Sequence, residues 1–230
     1  MTTKTLNISE EQLVDYSKAH NEPSWMTELR KKALKLTETL EMPKPDKTKL
    51  RKWDFDTFKQ HHTTGDSYHQ LTDLPKSVKE IIDVENSENL IIQHNNDLAY
   101  TQVSDQAKND GVIIEGLSEA LVNHSDLVQK YFMTKAVNVD EHRLTALHTA
   151  LVNGGIFVYV PKNTVVEHPI QYVVLHDDEQ ASFYNHAIIV TEESAEVTYV
   201  ENYLSTTSGE DNQLNIVSEV IAGANSNVTY

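Results

Sequence analysis

One stretch restricts the fold more than any other, LTALHTALVNGGIFVYVPKNTVVEHPIQYVVLHDD at residues 144–178. Leu144, Leu147 and Leu151, with Ala146, Ala150 and Val152 beside them, recur at helical spacing, so a short amphipathic helix is expected. Gly154 and Gly155 are expected to stop it, because glycine enters the left-handed conformation without a steric penalty. Ile156 to Val160 is apolar at nearly every position and rich in β-branched and aromatic residues, which suits a strand buried on both faces. Pro161, with Lys162, Asn163 and Thr164, marks a turn before Val165 and Val166. Pro169 keeps His168 extended, and Gln171 to His176 reads as a further strand. A helix thus delivers the chain into a sheet region, and nothing downstream has helical periodicity.

Strands are expected at Ser182–Thr191, Glu196–Leu204 and Leu214–Ala222, with another beginning at Val228–Tyr230. Residues 189–199 and 220–230 superpose at a period of about 31, which places Val197, Thr198 and Tyr199 over Val228, Thr229 and Tyr230. A period of this size belongs to solenoid coils, whose stacked strands set like residues above one another about 4.8 Å apart. The expected fold is therefore mainly β with an α+β N-terminal region: an incomplete right-handed parallel β-helix preceded by a helical segment. Residues 1–140 form the helical and small α/β region, and 141–230 the entry helix and first coils. A coil stack stopping at Tyr230 would leave an apolar edge open, so continuation of the natural polypeptide, or a covering partner, is expected.

Upstream, Ser9 is a candidate N-cap with Gln12 completing a capping box, and a helix to about His20 follows. Pro23 starts a second helix, with Trp25, Met26, Leu29, Ala33, Leu34, Leu36 and Leu40 on the core side and Arg30, Lys31, Lys32 and Lys35 largely opposite. Met42 to Lys52 is a basic, proline-interrupted linker suited to docking on the acidic remainder. His61–Gln70 contains two adjacent histidines, which cannot point the same way on a regular element, so a loop is expected there and not a metal site. Between Leu74 and Met133 lie a short helix from Pro75, a hairpin pairing Leu90–Gln93 with Leu98–Val103 across Asn95, Asn96 and Asp97, a strand at Gly111–Ile114, and helices at Ser118–Leu121 and Asp126–Phe132 with Ser125 as cap. Neither GxGxxG nor a Walker pattern occurs, so no standard nucleotide loop is expected.

The formal charge of −16 opposes binding to a phosphate backbone, and no Lys or Arg follows Lys162, so neither nucleic acid nor an anionic membrane is an expected partner. These 230 residues hold no cysteine, which removes disulfides, thiolate ligands and cysteine nucleophiles from this stretch. The first residues carry no apolar leader core, and no apolar run reaches the roughly 20 residues that span a bilayer, so a cytoplasmic protein is expected.

The succession LTALHTALVNGGIFVYVPKNTVVEHPIQ resembles the segment shared by the SufB and SufD subunits of the SUF iron–sulfur cluster assembly machinery. NEPSWMTELRKKAL from Asn21 and LRKWDFDTF around Trp53 are similar to early motifs of that family. Its SufB branch commonly carries a cysteine where this chain reads YVENYL at Tyr199–Leu204, so the SufD branch, here its N-terminal portion, is the better match. The resemblance implies a non-catalytic scaffold that pairs with a SufB-like subunit and, through a C-terminal region, with the ABC-type ATPase SufC. It also admits a homodimer through the β-helix. No cofactor is expected on this chain alone, an iron–sulfur cluster belonging to the assembled complex, and no catalytic, cofactor or metal residue is assigned. His168, His176 and His186 lie on or beside strands but not at a recognised ligand spacing, and are expected to be surface or hydrogen-bonded histidines. Two rivals stand beside this: a polysaccharide-active β-helix enzyme using Glu167, Asp177, Asp178 or Glu201 as acid and base, and a generic protein-interaction β-solenoid.

Overall fold

The computed structural model describes residues 6–50, 53–55, 57–59, 61–83, 87–205 and 214–230. Residues 1–5, with Arg51 and Lys52 of the basic linker, lie outside the described residues.

Helix α1 (Glu10–Ala19) begins with the expected capping box: Ser9 Oγ accepts from Gln12 N at 3.2 Å and Gln12 Oε1 accepts from Ser9 N at 2.8 Å. Helix α2 (Ser24–Thr39) starts after Pro23 and buries Met26 and Ala33 completely. Arg30, expected to face water, lies inside with 1% exposure. It holds Glu22 through Nε at 2.8 Å and Nη2 at 2.5 Å, and its Nη1 donates to Ala150 O at 3.0 Å. Tyr16 lies under the guanidinium, 5.0 Å from its ring centroid. One side chain thereby ties α1 and α2 to α7 (Arg143–Leu151).

Of the described linker residues, Lys44 pairs with Glu41, three residues away. Helices α3 (Lys76–Lys79), α4 (Asp105–Asn109), α5 (Leu117–Asn123) and α6 (Ser125–Tyr131) are short. Ser125 is not a cap but the first residue of α6, and its hydroxyl accepts from Trp25 Nε1 at 2.9 Å.

Strands β1 (Asn89–His94), β2 (Asp97–Gln102), β3 (Ile113–Gly116), β4 (Gly154–Val160), β5 (Ile170–His176), β6 (Phe183–Thr191), β7 (Glu196–Ser205), β8 (Leu214–Ala222) and β9 (Asn227–Thr229) fall where the apolar runs place them. They build one sheet in the order β2-β1-β5-β7-β9 and another in the order β3-β4-β6-β8. From β4 onward consecutive strands alternate between the two sheets and pair in parallel. The register carries the sequence period: Gly154 faces Asn185, Phe183 faces Leu214 and Glu196 faces Asn227, each pair 31 apart, with Val197 on Val228 and Thr198 on Thr229.

The expected fold class nevertheless needs correcting. The described residues form an α/β fold of two mixed sheets, not a mainly β chain organised as a right-handed parallel β-helix. Each sheet begins with an antiparallel pair, β1 with β2 and β3 with β4, and helices cover the outer surface of β4 and β6. A repeat period reports only the parallel part of such an arrangement, because the Asn95–Asn96 hairpin and the β3 pairing have no counterpart 31 residues on.

The double glycine is also corrected. Helix α7 ends at Leu151, and both glycines are already in β4. Gly155 has φ +142, and a Cβ there would lie 2.0 Å from His186 O, so glycine is required by the approach of β4 to β6. The largest apolar cluster joins the two sheets through Ile91, Tyr172 and Val174 on one side and Ile156, Val158 and Ile189 on the other. A second cluster packs α2, α5 and α6 on the outer face of β4 and β6.

Candidate functional site

Behind β6 and β8 lies a chain of polar side chains, three of them with no exposure. His148 comes from α7, whose Leu147, Ala150 and Leu151 are buried with it; His186 comes from β6 and Glu219 from β8. His148 Nε2 is 2.9 Å from His186 Nδ1, and His186 Nε2 is 3.0 Å from Glu219 Oε1. Glu219 also accepts from Met133 N at 2.8 Å and Val137 N at 3.1 Å, and Asn215 Oδ1 meets His148 Nδ1 at 2.8 Å. Burial, then the His186 charge and Arg30, hold His148 well below its ordinary value, against the pull of the Asn215 contact. Buried polar groups need partners, and here every ring nitrogen has one. The nitrogens are committed to each other and to oxygen acceptors, which leaves no lone pair for a cation. Among the described residues no group of three or more His, Asp or Glu is arranged to hold a metal ion.

A cavity of about 360 Å³ is lined by His20, His62, Asp97, Glu119 and the backbone of Gly154 and Gly155. The adjacent histidines diverge as the sequence requires. His61 stacks on Tyr16 with centroids 3.9 Å apart and meets Leu151 O at 3.0 Å, while His62 Nε2 is 2.7 Å from Asp97 Oδ1. Burial, with Arg30, pushes His61 down to about 3. Burial and the neighbouring Glu115 raise the Glu119 carboxyl.

Of the histidines on or beside strands, His168 is half exposed and lies 3.5 Å from Glu88, His176 is buried, and His186 joins the internal chain. His148, Glu219 and Asn215 were not singled out by sequence. Of the carboxylates proposed for glycan cleavage, Glu201 and Asp177 stand apart along the β5–β7 ladder. Glu201 lies opposite Tyr172 in the β5–β7 ladder and accepts from Tyr199 OH at 2.7 Å. Asp177 follows five positions after Tyr172, about 16 Å along the strand at 3.3 Å per residue, beyond the roughly 5–9.5 Å of a glycosidase pair. It is committed to His94, at 2.9 Å, and Asn95, at 3.0 Å. Strand β8, last in its sheet, exposes Leu214, Ile216 and Val220 on one face. No described helix is long and apolar enough to cross a membrane.

Comparison with known proteins places this arrangement. Residues 10–172 match the SufBD protein N-terminal region, and residues 173–230 match the SufBD core domain of SUF system FeS cluster assembly. The chain belongs to the SufBD family. The boundary between the two matched regions falls inside β5. The chain is 47% identical over 226 residues to the iron–sulfur cluster assembly protein SufD of Bacillus subtilis, covering 98% of this chain and 52% of that protein. SufBD family proteins of Pyrococcus horikoshii, 29% identical over 205 residues, and Staphylococcus epidermidis, 26% over 232, are covered to 45% and 50% of their lengths, with 85% and 97% of this chain aligned. The chain thus spans about half the length of the curated relatives it matches.

Proposed function

We propose that this SufBD family member acts as a SufD-type scaffold in iron–sulfur cluster assembly, without chemistry of its own. The observation that carries this is the 47% identity to the B. subtilis protein running through 98% of the chain, helices and sheets alike. The physical features agree with it. The stretch has no cysteine to accept sulfur or hold a cluster, and its internal histidines are paired with protein groups. The partners that fit are a SufB-like subunit and a SufC-like ABC ATPase, with any cluster held in the assembled complex. Affinity purification of the full-length tagged protein from its native cytoplasm tests this. Recovery of both partners in defined ratio is expected; recovery of neither, together with glycan-cleaving activity, would reverse the assignment.

A further inference from the structure

The chain of Asn215, His148, His186 and Glu219 can satisfy all its hydrogen bonds in two ways, and these differ by one proton. With Asn215 Oδ1 turned to His148, as in the 2.8 Å contact, His148 carries its proton on Nδ1 and its Nε2 lone pair accepts from His186 Nδ1. His186 Nε2 still donates to Glu219 Oε1, so His186 holds two protons and is an imidazolium against the carboxylate. Turning the amide over reverses the order. Asn215 Nδ2 then donates to His148 Nδ1, His148 Nε2 donates to His186 Nδ1, and His186 Nε2 donates to Glu219 as before. No bond is lost and one proton fewer is held. An amide can make this exchange because its acceptor and donor ends have nearly the same shape.

We propose that these four residues form a one-proton store at the seam between α7 and strand β8, with its charge set by the orientation of the Asn215 amide. On unloading, the Nδ1 proton of His148 leaves to water beside Asn215, and the proton shared with His186 Nδ1 passes to His148 Nε2. Glu219 stays ionised, so the store goes from net neutral to one negative charge, which Met133 N and Val137 N continue to hold. His148, His186 and Glu219 have no exposure, whereas Asn215 is half-buried, and the proton therefore leaves at that end. The surroundings restrict where charge can sit. Phe132 packs its ring 4.6 Å from His186, Tyr184 lies 6.4 Å from His148, and the cation acting on His148 from α2 is Arg30. Burial and that cation oppose a charge on His148, leaving His186, against the carboxylate, as its place.

Two-bond ¹H–¹⁵N correlation spectra of the full-length protein labelled at histidine nitrogen, recorded from pH 5 to 9, test the proposal. One transition is expected in which His186 loses its Nδ1 proton and His148 changes from the Nδ1–H to the Nε2–H tautomer at the same midpoint. Asn215→Asp fixes an acceptor towards His148 and should raise that midpoint by more than about one pH unit, roughly the effect of one added carboxylate contact. Asn215→Leu should abolish the joint tautomer change. Separate midpoints, a His148 tautomer constant across the range, or an unmoved midpoint in Asn215→Asp overturns the store.

Discussion

Replacing Arg30 by Met keeps much of the volume and removes the charge. Glu22, whose side chain is 4% exposed, then keeps only the Ser17 hydroxyl at 2.7 Å among the contacts that hold it, and Ala150 O loses its donor. Breaking a buried pair by removing one partner costs about 3–5 kcal/mol, because the surviving charge stays desolvated. For a chain of this size that lowers Tm by roughly 6–20 °C at 2–4 °C per kcal/mol. The pH dependence separates this cause from loss of packing. In the wild type burial works to raise the Glu22 carboxyl, but the charge and hydrogen bonds of Arg30, helped by Ser17, prevail and hold it below 4.5. Its contribution is therefore complete above the unfolded value and is lost as pH falls through the lowered folded one. In Arg30→Met only burial remains prominent, so the Glu22 carboxyl moves up and its protonation relieves the variant as pH falls. Urea unfolding at pH 7 and pH 5 should show a penalty of about 3–5 kcal/mol that shrinks at the lower pH, and Glu22→Gln in the same background should recover at least 1 kcal/mol. A penalty below about 1 kcal/mol at pH 7, or one equal at both pH values, refutes this account of Arg30.

Gly155→Ala places a methyl 2.0 Å from His186 O at φ +142 and should cost at least about 3 kcal/mol, measured by denaturant unfolding, whereas Gly111→Ala, with 3.8 Å of clearance, pays mainly its φ of +74 and should cost less. Glu219→Ala strands the N–H groups of Met133 and Val137 and the His186 ring, and should lose about 3 kcal/mol or more, with early amide exchange at residues 133 and 137. Burial depresses His61 to about 3, so the folded chain resists its protonation and loses stability as pH drops below 6.5. His61→Phe should flatten that slope between pH 6 and 4 by up to about 1.4 kcal/mol per pH unit in urea titrations.

The strands and their parallel register could be read from the sequence because each carries its own apolar run and the 31-residue offset aligns Ile189 with Val220 and Val197 with Val228. The hairpin of β1 and β2 was also legible from its turn residues, but the antiparallel pairing of β3 with β4 was not, since β3 is only four residues long and leaves no repeat. Arg30 was misplaced by its charge, although it falls between Met26 and Ala33 in the middle of the apolar stripe. A Glu eight residues before it is a visible partner; the carbonyl of Ala150, 120 residues away, is not. Glu219 left a similar trace, an acid between Val217 and Ile221 on the face of β8 that meets the helices. His148 and His186 left none, because their contact depends on α7 crossing β6 and not on any spacing along the chain. The glycine pair announced a constraint correctly but not its kind, since helix stops and close strand contacts both demand glycine.

The scaffold assignment is tested most directly in Bacillus subtilis cells depleted of their own SufD, with the full-length protein supplied in its place and the activity of iron–sulfur enzymes measured in the lysate. Restoration towards the undepleted level is predicted. Activity that stays at the depleted level, while the protein accumulates folded and in comparable amount, would contradict it.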